Sequence, residues 1–354
     1  MGQTIDGITP LAEARAALAA AYDLSWSPAA EKDAAPIYAT LRDTVPAIEW
    51  PLLAPTILTI NRLKRERGAV ILAHTYQSPA IYRGVADVTG DTVQLALAAK
   101  AASQRTIVQA GVRFMAETSK ALAPDKTVLL PDDRAGCSLA ASITPEDVSA
   151  MRAQYPDAPV IAHLNSSAAV KAASDICCNS SNALTVIQAV PGDTVILLPD
   201  QFLARNLAAR TRKKIVTWGG SCEVHRAFSA ADIADLRTAY PDAKITAHSQ
   251  CRPEVTGAAD FAGSASAMAA WVRETRPARV VMVAECSAAD NLGGMAPDTV
   301  FLRGCNICPH MKRITLENIL WSLHTMGGEI VLEPAVSAGA AQAINRMLEL
   351  TGPA

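Results

Sequence analysis

Short apolar runs that close on Ala-His recur three times along the chain: AVILAH at 69–74, PVIAHL at 159–164 and KITAHS at 244–249. Each has the length of a strand and lacks polar alternation, which predicts a parallel strand covered by helices on both faces. Further strands are predicted at TVLLPD, TVILLPD and RVVMVAE. Helical stretches alternate with them, among them TVQLALAAKAAS, FMAETSKAL, FLARNLAART and SAMAAWVRE.

The pattern is an internal repeat. MRAQYPDAPVIAHLNSSAAVKAASDICCNSSNA returns as LRTAYPDAKITAHSQCRPEVTGAADFAGSASA, with His163 and His248, and likewise Asp175 and Asp260, 85 positions apart. A weaker first copy places His74 89 positions before His163. The fold expected is α/β: three homologous α/β/α layered domains with short parallel sheets in a pseudo-threefold arrangement, at 61–145, 146–230 and 231–322. A helical segment, 1–60, leads in, and a closing segment, 323–354, returns to the first domain. The 354 residues suit two or three domains of about 100 residues each.

Ligands of open parallel sheets gather beyond the carboxyl ends of the strands. Residues two apart share a face, so His74 pairs with Tyr76, His163 with Asn165 and His248 with Gln250, all aimed at one place. Seventeen or eighteen positions after each histidine comes a Gly/Ser/Asn-rich turn, at Thr92, Ser180 and Ala265, the last flanked by Ser264 and Ser266. One such turn is most simply a helix cap. Three at one spacing, each with hydroxyls and free backbone N–H groups, suit an anion with several charged groups.

Composition narrows the partners. Half the residues are apolar, 5% are aromatic and the formal charge is −2, so no field recruits nucleic acid or anionic membrane. Small molecules are the expected ligands. The N-terminal stretch MGQTIDGITPLAEARAALAAAYDLSW has no long apolar core, which argues against a signal peptide or membrane anchor and for a cytoplasmic protein. LKRERG at 63–68 reads as a solvated helix end, and Lys312 as a surface lysine.

Eight cysteines in a reducing compartment are seldom disulfides. Cys137, Cys222 and Cys308 follow one another at 85 and 86 positions, one thiolate per repeat, and a threefold arrangement would gather them on its axis. Three thiolates without an equivalent fourth fit an iron–sulfur cluster with one open iron. Zinc is the alternative, with Cys305 of CNIC closing the fourth position; Cys305 and Cys308 could instead form a redox disulfide. Cys177 and Cys178 are expected to be packing residues, and Cys251 and Cys286 have no partner in the repeat.

AHTYQ, VTGDTVQLA, GVRFMAETSKAL, LPDDRAGCSLA, NSSAAVKAASD, CEVHRAF, GSASAM and CPHMKRITLEN together resemble the quinolinate synthase family over roughly residues 60–322. The resemblance implies three α/β/α domains around a 4Fe-4S cluster held by Cys137, Cys222 and Cys308, with the open iron as a Lewis acid. It further implies condensation of iminoaspartate with dihydroxyacetone phosphate to quinolinate for NAD synthesis, with loss of phosphate and two waters. Partners would be a dicarboxylate, a triose phosphate and an aspartate-oxidising enzyme supplying the imine. His74, Tyr76, His225 and His248 would move protons, Asn165 would orient substrate, and Thr92 and Ser180 would hold anions.

Three positions depart from the family pattern. His163 stands where tyrosine is expected, Gln250 where glutamate is expected, and Ala265 where threonine is expected. A glutamine cannot exchange a proton, and loss of a general base costs about 10²- to 10⁴-fold. His163 could take over as that base. Two alternatives follow: a paralogue acting on a different carboxylated substrate, and a non-catalytic iron–sulfur binding or redox protein.

Overall fold

The computed structural model describes residues 11–352, so residues 1–10 of the leading segment and 353–354 of the closing one lie outside the described residues. Twelve strands form three four-stranded sheets, all parallel. The first holds β1 (Ala69–His74), β2 (Val88–Gly90), β3 (Thr106–Ala110) and β4 (Thr127–Leu129); the second β5 (Val160–His163), β6 (Ile176–Cys178), β7 (Thr194–Leu198) and β8 (Lys214–Thr217). The third holds β9 (Lys244–His248), β10 (Phe261–Gly263), β11 (Arg279–Val283) and β12 (Val300–Arg303). Strand order is the same each time, with β1, β5 and β9 second in their sheets. Register repeats too: His74 lies opposite Gly90, His163 opposite Cys178 and His248 opposite Gly263.

Every residue of β1 and β5 is buried, as is β9 after Lys244, which is why these strands carry no polar alternation. A repeated aspartate pins each one at its start. Asp87, Asp175 and Asp260 accept from the backbone N–H of Ile71, Val160 and Ile245 at 2.8–2.9 Å. Each also pairs with a base: Lys64 at 2.7 Å, Arg152 at 3.1 Å, and both Arg237 and Lys244 at 3.4 Å. Lys64 is therefore buried, and only the other charged residues of LKRERG form a solvated end.

Seven residues after each of the three repeat-register cysteines, a capped helix begins, at Thr144, Ser229 and Thr315, each with a reciprocal side-chain box at the third helical residue. The first two helices pack on the unit that follows them, Val148 and Met151 against Val160, and Ile233 against Ile245. The third, Leu316–Thr325, packs on helix Trp50–Glu66 and on β3 of the first unit, so the ring closes. The closing segment returns to the first unit, where the Ile330 N–H donates to the Val128 carbonyl and the Leu130 N–H to the Gly328 carbonyl, both at 2.8 Å, and then forms the final helix, Pro334–Thr351. This helix lies in a seam, against Arg113–Leu122 of the first unit but chiefly against Ala168–Ala172 and β6 of the second.

Two cysteine expectations change. Cys286 and Cys305 are joined in a disulfide, because adjacent strands β11 and β12 bring their ends together and Glu285 bridges Asn306. Cys305 is thus neither a fourth metal ligand nor the partner of Cys308. Cys177 and Cys178 are fully buried in the second unit's core.

Candidate active site

A cavity of about 440 Å³ opens where the three sheets' carboxyl ends converge. It is lined by all fifteen candidates from the sequence: His74, Tyr76, His163, His225, His248 and Gln250; Asn165, Thr92, Ser180, Ser264, Ala265 and Ser266; Cys137, Cys222 and Cys308.

The strand-end histidines share one device. The Nδ1 atoms of His74, His163 and His248 accept from the backbone N–H two residues on, at Tyr76, Asn165 and Gln250, at 3.1, 3.1 and 3.2 Å. A neutral imidazole has one donor and one acceptor nitrogen, so in each ring the proton is assigned to Nε2. Burial pushes all three histidines down to about 3, so the rings are neutral donors. His163 spends its donor on Ser180 Oγ at 3.1 Å. With Nδ1 occupied and Nε2 protonated, His163 is poorly set to be the replacement base.

His225 is placed differently, on the short helix Glu223–Arg226 immediately after Cys222. Its ring stacks on His248 with centroids 4.0 Å apart and planes 4° apart, and Tyr76 lies edge-on to His74 at 4.8 Å. Neither nitrogen of His225 has a partner although both are buried, an arrangement that costs free energy unless a ligand supplies one. Burial holds His225 well below its usual range, and pushes Tyr76 well above its own, with the neighbouring Cys222 and Glu285 adding to the rise.

The turns divide their labour by position. Asp91 and Ser264 cap their helices, accepting from the backbone N–H groups of Val93 and Gln94 and of Ala267, while Asn179 accepts from Ser181 and Asn182 in the turn that precedes its helix. Thr92, Ser180 and Ala265 come one residue later. Ser264 is therefore a cap rather than a free substitute for the hydroxyl missing at Ala265. It also bonds Ser181 Oγ at 2.7 Å across the unit boundary and Ser266 Oγ at 3.0 Å.

Cys137, Cys222 and Cys308 are unpaired thiols, and burial raises each above its ordinary value, Cys137 to about 11. Among the described residues no three His, Cys, Asp or Glu side chains stand close enough to hold a single ion. All three thiols line the one cavity, one from each unit, and the other cysteines do not line it. The donor set therefore fits a cluster with three thiolate ligands.

Two carboxylates that touch lining residues without lining the cavity themselves were not legible in the sequence. Glu285 pairs with Lys312 at 2.8 Å, and Lys312 also donates to the backbone oxygen of Tyr76 at 2.8 Å, so Lys312 ties the first and third units together rather than standing free at the surface. Asp200 accepts from Gln250 Nε2 at 2.7 Å. Both open the helix that follows their unit's third strand and are 85 positions apart, the signal by which the repeat could have revealed them.

This geometry defines a class: a three-unit α/β protein whose strand ends build one cavity of thiols, neutral histidines and hydroxyl-bearing turns. The model of the family described as quinolinate synthetase A protein matches residues 58–349. Quinolinate synthase 1 of Mesorhizobium japonicum is 52% identical over 314 residues, covering 89% of this chain and 97% of that protein. Quinolinate synthase of Sinorhizobium medicae is 48% identical over 328 residues, 93% of this chain and 91% of its own length. That of Xylella fastidiosa is 51% identical over 294 residues, 83% and 87% of the two chains. The chain belongs to the quinolinate synthase family.

Proposed function

We propose that the protein is a quinolinate synthase of NAD biosynthesis, joining iminoaspartate to dihydroxyacetone phosphate with release of phosphate and two waters. The observation that carries this reading, beside the family, is the convergence of three thiols, the histidines His74, His163, His225 and His248, and the hydroxyl-bearing turns at Thr92 and Ser180 on one cavity. Cys137, Cys222 and Cys308 would hold a 4Fe-4S cluster, which supplies a Lewis acid for the oxygen that leaves.

The remaining work falls to the chain's own groups. Thr92 and Ser180, at the starts of helical turns, bind the carboxylates and phosphate. The Nε2–H groups of His74 and His248 donate to substrate oxygens without adding charge, while His163 donates to Ser180 and so turns the serine's own proton toward the ligand. Asn165 orients the substrate. His225, with both nitrogens unpartnered, takes and returns protons beside Tyr76. The substrates are small anions, and an aspartate-oxidising enzyme supplies the imine. No described helix is long and apolar enough to cross a membrane; the setting we propose is cytoplasmic.

Gln250 favours a second reading, a member of the same fold and cluster acting on a related carboxylated substrate, because an amide cannot serve as the proton-exchanging group. Anaerobic incubation of the reconstituted protein with iminoaspartate and dihydroxyacetone phosphate separates the two. Quinolinate with equimolar phosphate supports the first, and an intact cluster without quinolinate supports the second.

A further inference from the structure

Val112, Asp200 and Glu285 occupy one position in the three units, at the start of the helix after the third strand. The first is apolar and the third is engaged by Lys312. Asp200, from the second unit, faces the strand end of the third. It does not line the cavity, but Gln250 does.

We propose that Asp200 is a positioning residue that fixes the side-chain amide of Gln250, so that the cavity meets the carbonyl oxygen Oε1, a permanent acceptor for a substrate N–H or O–H. Asp200 Oδ1 is occupied by the backbone N–H groups of Phe202 and Leu203, both at 2.9 Å. Oδ2 is left for Gln250 at 2.7 Å. A carboxylate only accepts, and the amide donates only through Nε2, so one orientation of Gln250 is allowed. Asp200 is 1% and Gln250 2% exposed, so reversal would set two oxygens face to face without water to relieve them.

The chemical consequence is selectivity. At this point the cavity accepts an imine N–H or a hydroxyl and repels a bare carboxylate or phosphate oxygen. A glutamate in the same place would stand against the Asp200 carboxylate, and such a pair holds one proton between them. The glutamine avoids that sharing and gives up proton exchange. The ligand assignment rests on the function proposed above; the orientation of the amide does not.

Three variants of the reconstituted protein test it: D200N, Q250E and the double variant. In D200N the one remaining oxygen keeps the helix cap, so the new amide turns its N–H₂ to Gln250 and reverses it, putting a donor into the cavity. We expect kcat/KM to fall about 10- to 100-fold, the scale set by facing a substrate group with an unpaired polar partner, with Tm little changed. Q250E should lower both Tm and kcat/KM at neutral pH, because the pair can form only by taking up the proton that the two carboxyls must share. In D200N/Q250E the asparagine donates to the glutamate and an acceptor returns, so Tm and most of kcat/KM recover. A kinetically silent D200N, or losses in the double variant equal to the product of the singles, overturns the proposal. Should the wild type form no quinolinate, the Tm cycle still decides: recovery upholds the pairing and additivity overturns it, while the reaction alone is then rejected.

Discussion

The second and third units end their first strands alike and then diverge. In both, a buried histidine accepts through Nδ1 from the backbone two residues on. Beyond that shared turn, His163 meets the hydroxyl of Ser180 at 3.1 Å, whereas His248 has an alanine at the matching place and stacks on His225 instead. Asn165 and Gln250 are equivalent in position, yet only Gln250 is held by a carboxylate from the neighbouring unit. The repeat thus preserves backbone geometry and leaves the chemistry one atom further out free to differ.

The thiols are where the units should differ least. Cys222→Ser and Cys308→Ser are each expected to lower quinolinate formation by at least about 100-fold, the upper range seen when groups that support a metal centre are lost, and to abolish the visible absorbance of the reconstituted protein. If one thiol were dispensable by both measures, the three units would not be equivalent at this layer.

Next in size is an acid effect shared by the histidine layer. His74, His163 and His248 are held near 3, against about 6.5 in an unfolded chain. Between these values the unfolded state binds more protons, so stability is fully present above pH 6.5 and is lost as pH falls toward 3. Asp200, raised by burial from 3.8 to about 6, and Glu285, also raised by burial, act in the opposite sense, but they are two carboxyls against four histidines, His225 included. Tm measured from pH 7.5 to 4.5 should therefore fall steadily; a flat or rising profile would mean that the rings are not neutral in the fold.

Within the second unit, His163→Phe removes the donor to Ser180 and should cost about 10-fold in kcat/KM, the worth of one buried hydrogen bond. His163→Tyr supplies an O–H donor and should keep activity within a few-fold of wild type. Equal losses in the two variants would return His163 to the role of a base. The smallest change is expected in the third unit, where Ala265→Thr adds a hydroxyl at the turn and should lower KM by about 3-fold, under one hydrogen bond's worth. An unchanged KM there would separate the third turn from anion binding.

Much of this was legible because the repeat converts spacing into geometry. Three Ala-His strand ends, three turns and three cysteines at the repeat interval placed fourteen of the fifteen candidates around one cavity, and the family resemblance supplied the fifteenth, His225. The remainder was hidden where a partner comes from outside the repeat's own register. The Cys286–Cys305 pair joins two points within one unit, and Lys312 looks like a surface lysine until Glu285 and the Tyr76 carbonyl close on it. Asp200 reads as an ordinary helix cap, which it is; its second oxygen acquires a role only when the third unit docks. Tautomers were likewise beyond sequence, because they follow from a backbone N–H two residues along.

On the proposed function, a quinolinate synthase site operates in a chain carrying an amide at Gln250. The most direct measurement of this is single-turnover product analysis of the anaerobically reconstituted protein mixed with iminoaspartate and dihydroxyacetone phosphate. Quinolinate and phosphate are expected in equal amounts, both dependent on the three thiols. Phosphate release without quinolinate, or neither product from protein whose cluster is intact, would contradict that function.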